Sequence, residues 1–308
     1  MENILLAIII PAYKAQFLEM ALSSLSHQTN KDFRVYIGDD HSPYDLLSVA
    51  RKFENEYPII YRRFDKNQGS VSLVKQWTRS IGLSADEPYI WLFGDDDVAE
   101  PNCVEMFYKC IKEDPRAGLF RFSIKTINAS GSVINNGSEI PASESAIEFI
   151  SQRMNFQIQS SLSQYIFHRS LFRKSGFPDF PHGWCADDAM VVEYSSPGKI
   201  RGIPGAAVHW RISSENISGD NRLKEDKLAA CSLYKDWLTR RFPDMDSLRK
   251  REIRYWFFRS HLILKLNPFS LRRYNRIVKD YFQSLHFRGL LFLVSDSFRV
   301  FTLMLRKS

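Results

Sequence analysis

Three consecutive carboxylates, Asp95, Asp96 and Asp97, close the stretch YIWLFGDDD, and a second acidic pair, Asp39 and Asp40, closes FRVYIGDD. Both sets follow short apolar runs. Adjacent carboxylates repel one another, so gathering them at the end of a buried segment contributes nothing to folding. They become stable when a divalent cation or a set of hydrogen-bond donors neutralises them. A hard, oxygen-preferring ion such as Mg2+ or Mn2+ suits such ligands and leaves positions for phosphate oxygens. The ordinary alternative is a solvated acidic turn in which Asp97 caps a helix.

The surrounding pattern decides where these residues stand. ILLAIII (4–10) is a continuous, largely β-branched apolar run ended by Pro11, as expected of a strand buried on both faces. A helix over FLEMALSSLSHQ follows, then strand 33–40 and a helix entered at Ser42 and Pro43, the Ser as cap and the Pro in the first turn. Strand 59–64, helix 70–83, strand 89–93 and a helix from Pro101 through Cys110 complete the series. Strands alternating with helices predict an α/β fold, a mostly parallel sheet with helices on both faces. Ligands of such sheets bind beyond the carboxyl ends of the strands, where both acidic sets lie. Beyond residue 115 the pattern is mixed. It predicts a strand and hairpin around Asn128–Gly131, a helix over 143–154, a strand ending near 169, a loop entering a helix at GFPDFPHGWCADDAMVVEY, and a strand over 206–212. From Leu223 onward the chain reads as helical, with breaks near Pro243, Pro268 and Phe287.

In order and spacing, four segments resemble the family 2 glycosyltransferases of GT-A fold. IIIPAYKAQFLEMALSSLSHQT resembles that family's opening strand, loop and first helix, FRVYIGDDHS its second strand, NQGSVSLVKQW its N-x-G helix entry, and YIWLFGDDDVAEP its metal motif. The resemblance covers roughly residues 4 to 220 and divides the chain. Residues 1–220 would be the catalytic domain, with a nucleotide-sugar-binding half (1–115) and an acceptor-binding half (116–220), and 221–308 a helical extension.

The resemblance also implies roles. Pro11, Ala12 and Tyr13 would line the nucleotide base. Asp39 would accept a hydrogen bond from it, and Asp40 and Asn67 would shape the same pocket. Asp95 would approach the ribose, and Asp96 would ligate the metal, with Asp97 supporting it and His209 as a third ligand. Lys75 and Arg211 would meet donor phosphates, Arg211 as a diphosphate clamp. The familiar Asp-x-Asp-Asp motif has Gly94 at its first position here. Asp187–Asp188 stands where the family carries its base, Asp188 as base and Asp187 orienting it or binding acceptor, with His182 and Trp184 as an acceptor platform. The structural alternative for this pair is two acids favoured by a helix dipole. The implied reaction is a single inverting displacement from a nucleotide-diphosphate sugar, with UDP as the commonest nucleotide. The acceptor would be a glycan or lipid-linked oligosaccharide of a bacterial surface polysaccharide, O-antigen or capsule.

The net charge of +7 is concentrated at one end, since residues from Arg241 onward carry fifteen Lys/Arg against five Asp/Glu. Mixed with aromatics, and with an apolar stripe from Leu290 to Leu305, this basic segment could lie on an anionic membrane surface. It could equally pack on the catalytic domain or on a second subunit of a homo-oligomer. No nucleic-acid recognition motif accompanies the charge. Four cysteines without paired spacing predict buried, reduced thiols. The N-terminal segment lacks the basic region and cleavage site of a signal peptide, and no apolar run reaches the roughly twenty residues that span a bilayer. The expected place is the cytoplasm, peripheral to the inner face of the membrane. Two further classes fit less well: a non-catalytic sugar-binding or scaffolding protein on a degenerate transferase fold, and a nucleotidyltransferase, whose usual glycine-rich loop PAYKAQF lacks.

Overall fold

The first apolar run folds as β1 (Leu6–Ala12), and Leu6 through Ile10 are all fully buried. A strand covered on both faces can use apolar side chains at every position, each aliphatic one contributing about 1.5–3 kcal/mol. β1 pairs in parallel with β2 (Phe33–Asp39) on one side and β4 (Tyr89–Leu92) on the other, and β2 pairs in parallel with β3 (Ile59–Arg63). The computed structural model describes residues 5–196, 198–213 and 216–265.

Leu6, Ile8 and Ile10 share a core with α1 (Leu18–Ser26), α2 (Leu46–Arg51) and α4 (Cys103–Glu113). The opposite face of β2 carries α3 (Leu73–Ile81). A Cβ on Gly38 would come within 2.3 Å of the Ser80 hydroxyl of α3, so this contact requires the hydrogen. Both layers of the expected α/β arrangement are therefore present.

The second half departs from a simple alternation. β6 (Leu119–Ile127) and β10 (Ile200–Arg211) are parallel to each other, and β9 (Tyr165–His168) runs antiparallel between β4 and β6. Short β5 (Val98–Ala99) pairs with β10 at the edge, β7 (Val133–Asn135) closes the expected hairpin with β6, and β8 (Ser143–Glu144) pairs with β10. The order is β3-β2-β1-β4-β9-β6-β10-β5.

Several boundaries differ from expectation. α2 starts at Leu46, capped by Asp45, because Ser42 is occupied in the loop after β2, its hydroxyl donating to the Tyr13 carbonyl. Residues 143–144 pair as β8, so α5 begins at Ala146 and runs to Met154. α6 (Arg169–Ser175) follows β9 where only a strand end is legible. β10 starts six residues earlier than expected, because Pro204 and Gly205 are absorbed in a bulge between Ile203 and Ala207. α7 (Ala186–Ser195) follows the loop that begins at Gly176.

The chain divides into two compact units, residues 1–153 with 157–220, and 154–156 with 221–308. In the second, α8 (Lys224–Arg241) and α9 (Ser247–Lys265) are separated near Pro243, and Tyr234 stands edge-on to Trp256 at 5.5 Å. All four cysteines are buried and free. Among the described residues no helix is long and apolar enough to cross a membrane. The amphipathic stripe 290–305 and the breaks near Pro268 and Phe287 lie outside the described residues.

Candidate active site

The carboxyl ends of β1, β2 and β4 meet at one edge, and backbone donors bind their acids into it. Asp95 Oδ2 accepts from the backbone N–H of Tyr13 (2.9 Å) and Lys14 (3.1 Å), seating the loop after β1 on the acidic turn. Of the base-lining candidates, Ala12 is fully buried, Pro11 is half-buried and Tyr13 is 38% exposed. Asp40 accepts from the N–H groups of Gln68 (2.6 Å) and Gly69 (2.8 Å) and pairs with Arg79, whose guanidinium lies 3.9 Å over the Phe64 ring. Asn67 closes its own turn, accepting from Ser70 N–H at 2.8 Å. A Cβ at Gly69 would sit 2.5 Å from Asp40 Oδ2. Gly69→Ala should therefore force this loop off Asp40 and cost about 1–3 kcal/mol, read as a lower urea midpoint at unchanged slope.

Asp39 is fully buried, accepting from Ser42 N–H (2.7 Å), Arg63 Nη1 (2.9 Å) and the Tyr61 hydroxyl. Its donors cover it, and Arg63, with a side chain 45% exposed, is the member of this group that reaches solvent. Tyr61 and Arg63 escape a motif search, although the basic YRRF end of β3 lies in register with Asp39.

Within the triplet the three acids differ in kind. Asp97 is buried and committed: its Oδ2 accepts from the Ser163 hydroxyl (2.5 Å) and its Oδ1 from Arg211 N–H (3.0 Å). Burial still pushes its carboxyl up to about 6. Asp96 is pushed further, to about 8, first by burial and then by the charges of Asp97 and Asp95, against the lesser pull of Lys14 and the Asn216 amide. A carboxyl held that high is a site short of positive charge, and one divalent cation would let it ionise. Among the described residues no group of three or more His, Cys, Asp and Glu side chains could form a metal cage. Asp96 is the acid of this turn whose carboxylate would hold a divalent cation.

Two sequence-level assignments are corrected at this point. His209 does not join the acidic turn: its Nε2 lies 3.2 Å from Glu100 Oε1, and Glu100 also binds Lys125. Arg211 is fully buried and cannot clamp a diphosphate, because its guanidinium donates to the carbonyls of Asp96 (2.8 Å), Asn128 (2.9 Å) and Ala129 (3.2 Å). It holds the acidic turn against the β6–β7 hairpin from behind. Ser163, for which the sequence offers no signal, completes that support by accepting from Gly94 N–H at 2.9 Å while donating to Asp97. The missing side chain at position 94 also has a reason, since a Cβ there would lie 2.9 Å from Asp97 Oδ2.

The segment 176–185, which leads into Asp187–Asp188, packs on α3. Ser72 caps α3, accepting from Lys75 N–H (3.1 Å), and donates to Asp179 at 2.9 Å. Gly183, at φ +65°, packs on Trp77, where a Cβ would lie 2.9 Å from the ring. His182 and Cys185 also take positive φ (53° and 67°), a strain of about 1–3 kcal/mol each that only firm surroundings sustain. His182 and Trp184 are half-buried in this loop, and Lys75 is exposed on the first turn of α3. Asp188 is buried and bridged: Arg153 Nε reaches Oδ1 at 2.9 Å and Oδ2 at 3.1 Å, and Nη2 reaches Oδ2 at 2.6 Å. Asp187 is half-buried, and burial together with the Asp188 charge lifts its carboxyl to about 7 despite Arg153.

An α/β sheet of this strand order, with acids gathered beyond β2 and β4, has the GT-A architecture. The chain belongs to glycosyl transferase family 2, whose sequence profile matches residues 7–179. It is 30% identical over 218 residues to a chondroitin synthase of Pasteurella multocida (strain Pm70), covering 70% of this chain and 22% of that protein. To a hyaluronan synthase of Pasteurella multocida it is 30% identical over 255 residues, covering 80% of this chain and 25% of the relative. The chain thus spans about a quarter of the length of these relatives. Among solved structures it resembles S. aureus TarS 1–349 in complex with UDP-GlcNAc, at a TM-score of 0.63 and 14% identity, over 92% of this chain and 82% of that one.

Proposed function

We propose that the chain transfers a sugar from a UDP-sugar to a glycan acceptor by a single displacement that inverts the anomeric carbon. The observation that carries this reading is the division within the acidic turn. Asp95 and Asp97 are held by backbone and hydroxyl donors, whereas Asp96 is half-buried, crowded by both neighbouring acids against the lesser pull of Lys14 and the Asn216 amide, and fit for a cation. A Mg2+ or Mn2+ ion held there would neutralise the charge that develops on the departing diphosphate. The chain's own residues do the rest. Pro11 to Tyr13 and the Asp39–Arg63 group face the nucleotide, and Asp40 holds the loop after Asn67. The acceptor oxygen bonds to the anomeric carbon as the bond to the diphosphate breaks, and its proton passes to the Asp187–Asp188 pair. The geometry favours Asp187 as the group that takes the proton, because Asp188 is already engaged by Arg153.

Likeness to enzymes named for chondroitin and hyaluronan synthesis supports a polysaccharide product, and a UDP-GlcNAc complex of TarS supports UDP-N-acetylglucosamine as the first donor to try. Surface-polysaccharide synthesis at the inner face of the membrane belongs to the same proposal. The test is a screen of UDP-sugars for hydrolysis and transfer, with excess EDTA or with excess Mn2+. We expect turnover with Mn2+ and loss of it with EDTA, restored by added metal. Turnover that EDTA leaves intact would remove the metal from the proposal, and no turnover with any donor would favour a binding protein.

A further inference from the structure

The proposed base pair is gripped by a residue that none of the recognised motifs contains. Arg153 stands in the last turn of α5, more than thirty residues upstream of α7, and its fork places three donor contacts on Asp188. A fourth, from Nη1 to the Ile158 carbonyl at 3.1 Å, ties the guanidinium to the turn that follows α5, and Gln157 N–H closes that turn on the Gln152 carbonyl at 2.9 Å. The arginine is thus anchored by its own loop and presents a planar fork to one carboxylate, an arrangement that a Lys cannot reproduce.

Among the described residues, other titratable groups bear on the pair from the sheet. Tyr165 of β9 interacts with both Arg153 and Asp188, and burial pushes its phenol well above the ordinary value, so it stays neutral. Arg121 of β6, which Tyr165 also feels, is spent on Glu144 of β8 at 2.6 Å. Among the described residues, the positive charge shown bonding to the pair is that of Arg153. Two adjacent carboxyls without that charge would share a proton, and a base that starts protonated accepts nothing.

We propose that Arg153 is the positioning residue of the acceptor-activating pair: by forking onto Asp188 it fixes that carboxylate as the standing negative charge and leaves Asp187 free to receive the acceptor's proton. The proposal rests on the reading of Asp187–Asp188 as the base pair, and it adds a residue to the machinery of that reading. Burial opposes the charge on Arg153, yet the Asp188 carboxylate beside it carries the guanidinium's pKa above the ordinary value, so Arg153 stays charged.

The test is the pH profile of kcat for sugar transfer by the full chain with saturating donor, for the wild type, Arg153→Gln and Arg153→Lys. The base works deprotonated, so activity falls on the acid side, and loss of a cation raises the pH at which it falls. For Arg153→Gln the acid limb should move up by about one to three pH units. Transfer near pH 7 should then fall by about fivefold or more and recover at alkaline pH, with the donor KM little changed. Arg153→Lys, which keeps the charge but not the fork, should shift in the same direction by less. A structural role alone would lower kcat equally at every pH. An acid limb unmoved in whichever of the two variants folds overturns the proposal. The function itself is read separately, from the wild type's transfer and its loss in Asp187→Asn. Normal transfer by Asp187→Asn would remove the base assignment rather than the contact made by Arg153.

Discussion

Asp96→Asn should lower sugar transfer by about a hundred- to a thousandfold while leaving the fold intact or more stable. The catalytic loss follows from removing the carboxylate that would hold the diphosphate's counter-ion, a contribution of the size measured when one preorganised charge-stabilising group is deleted. The stability gain follows from the same crowding. Asp96 is half-buried, and burial with the charges of Asp97 and Asp95 holds its pKa at about 8, so folding near pH 7 must protonate it; an amide of equal volume avoids that cost without opening a cavity. The two measurements are product formation from the UDP-sugar with Mn2+ and the melting temperature without metal. A variant that melts far below the wild type would mean that the acid supports the fold. One that transfers normally would mean that the turn binds no ion needed for catalysis.

The second large effect is expected at Asp187. Asp187→Asn should reduce kcat by about a hundred- to ten-thousandfold, the range of general-base catalysis, with donor binding preserved. The wild-type rate should fall as the pH drops through about 7, where Asp187 takes up a proton. Asp188→Asn removes the negative neighbour that lifts Asp187 and leaves Arg153 beside it, so any residual activity should keep its rate to lower pH than the wild type. An acid limb that Asp188→Asn abolishes and Asp187→Asn retains would restore Asp188 as the base.

Much of the first half, residues 1–115, is local and hence legible. The apolar runs before Pro11, Asp39 and Asp95 dictate buried parallel strands, and such strands necessarily deliver their last residues to one edge. The N-x-G turn is equally local, since Asp40 is one residue past β2 and Gly69 is the smallest side chain where an N–H must approach a carboxylate. Residues 116–220 are less readable. Their central strand β9 is four residues long and runs against its neighbours, and α6 follows it without a break. Bulged β10 interrupts its own pattern with Pro204 and Gly205. None of these elements has a periodicity that outweighs its tertiary surroundings.

Residue types and order sufficed to place acids at strand ends and to bring the family into view, because alternating burial and turn chemistry act over a few neighbouring residues. The direction in which each polar side chain points depends on partners far away in the chain. Arg211 and His209 share a strand face by alternation, yet one turns inward to three carbonyls and the other pairs with Glu100. Asp97 is taken up by Ser163, 66 positions away, and Asp188 by Arg153, 35 positions away. Hydrogen bonds between buried groups are settled only when the packed chain brings donors within reach, so which acids are committed to protein donors is decided by the tertiary structure alone.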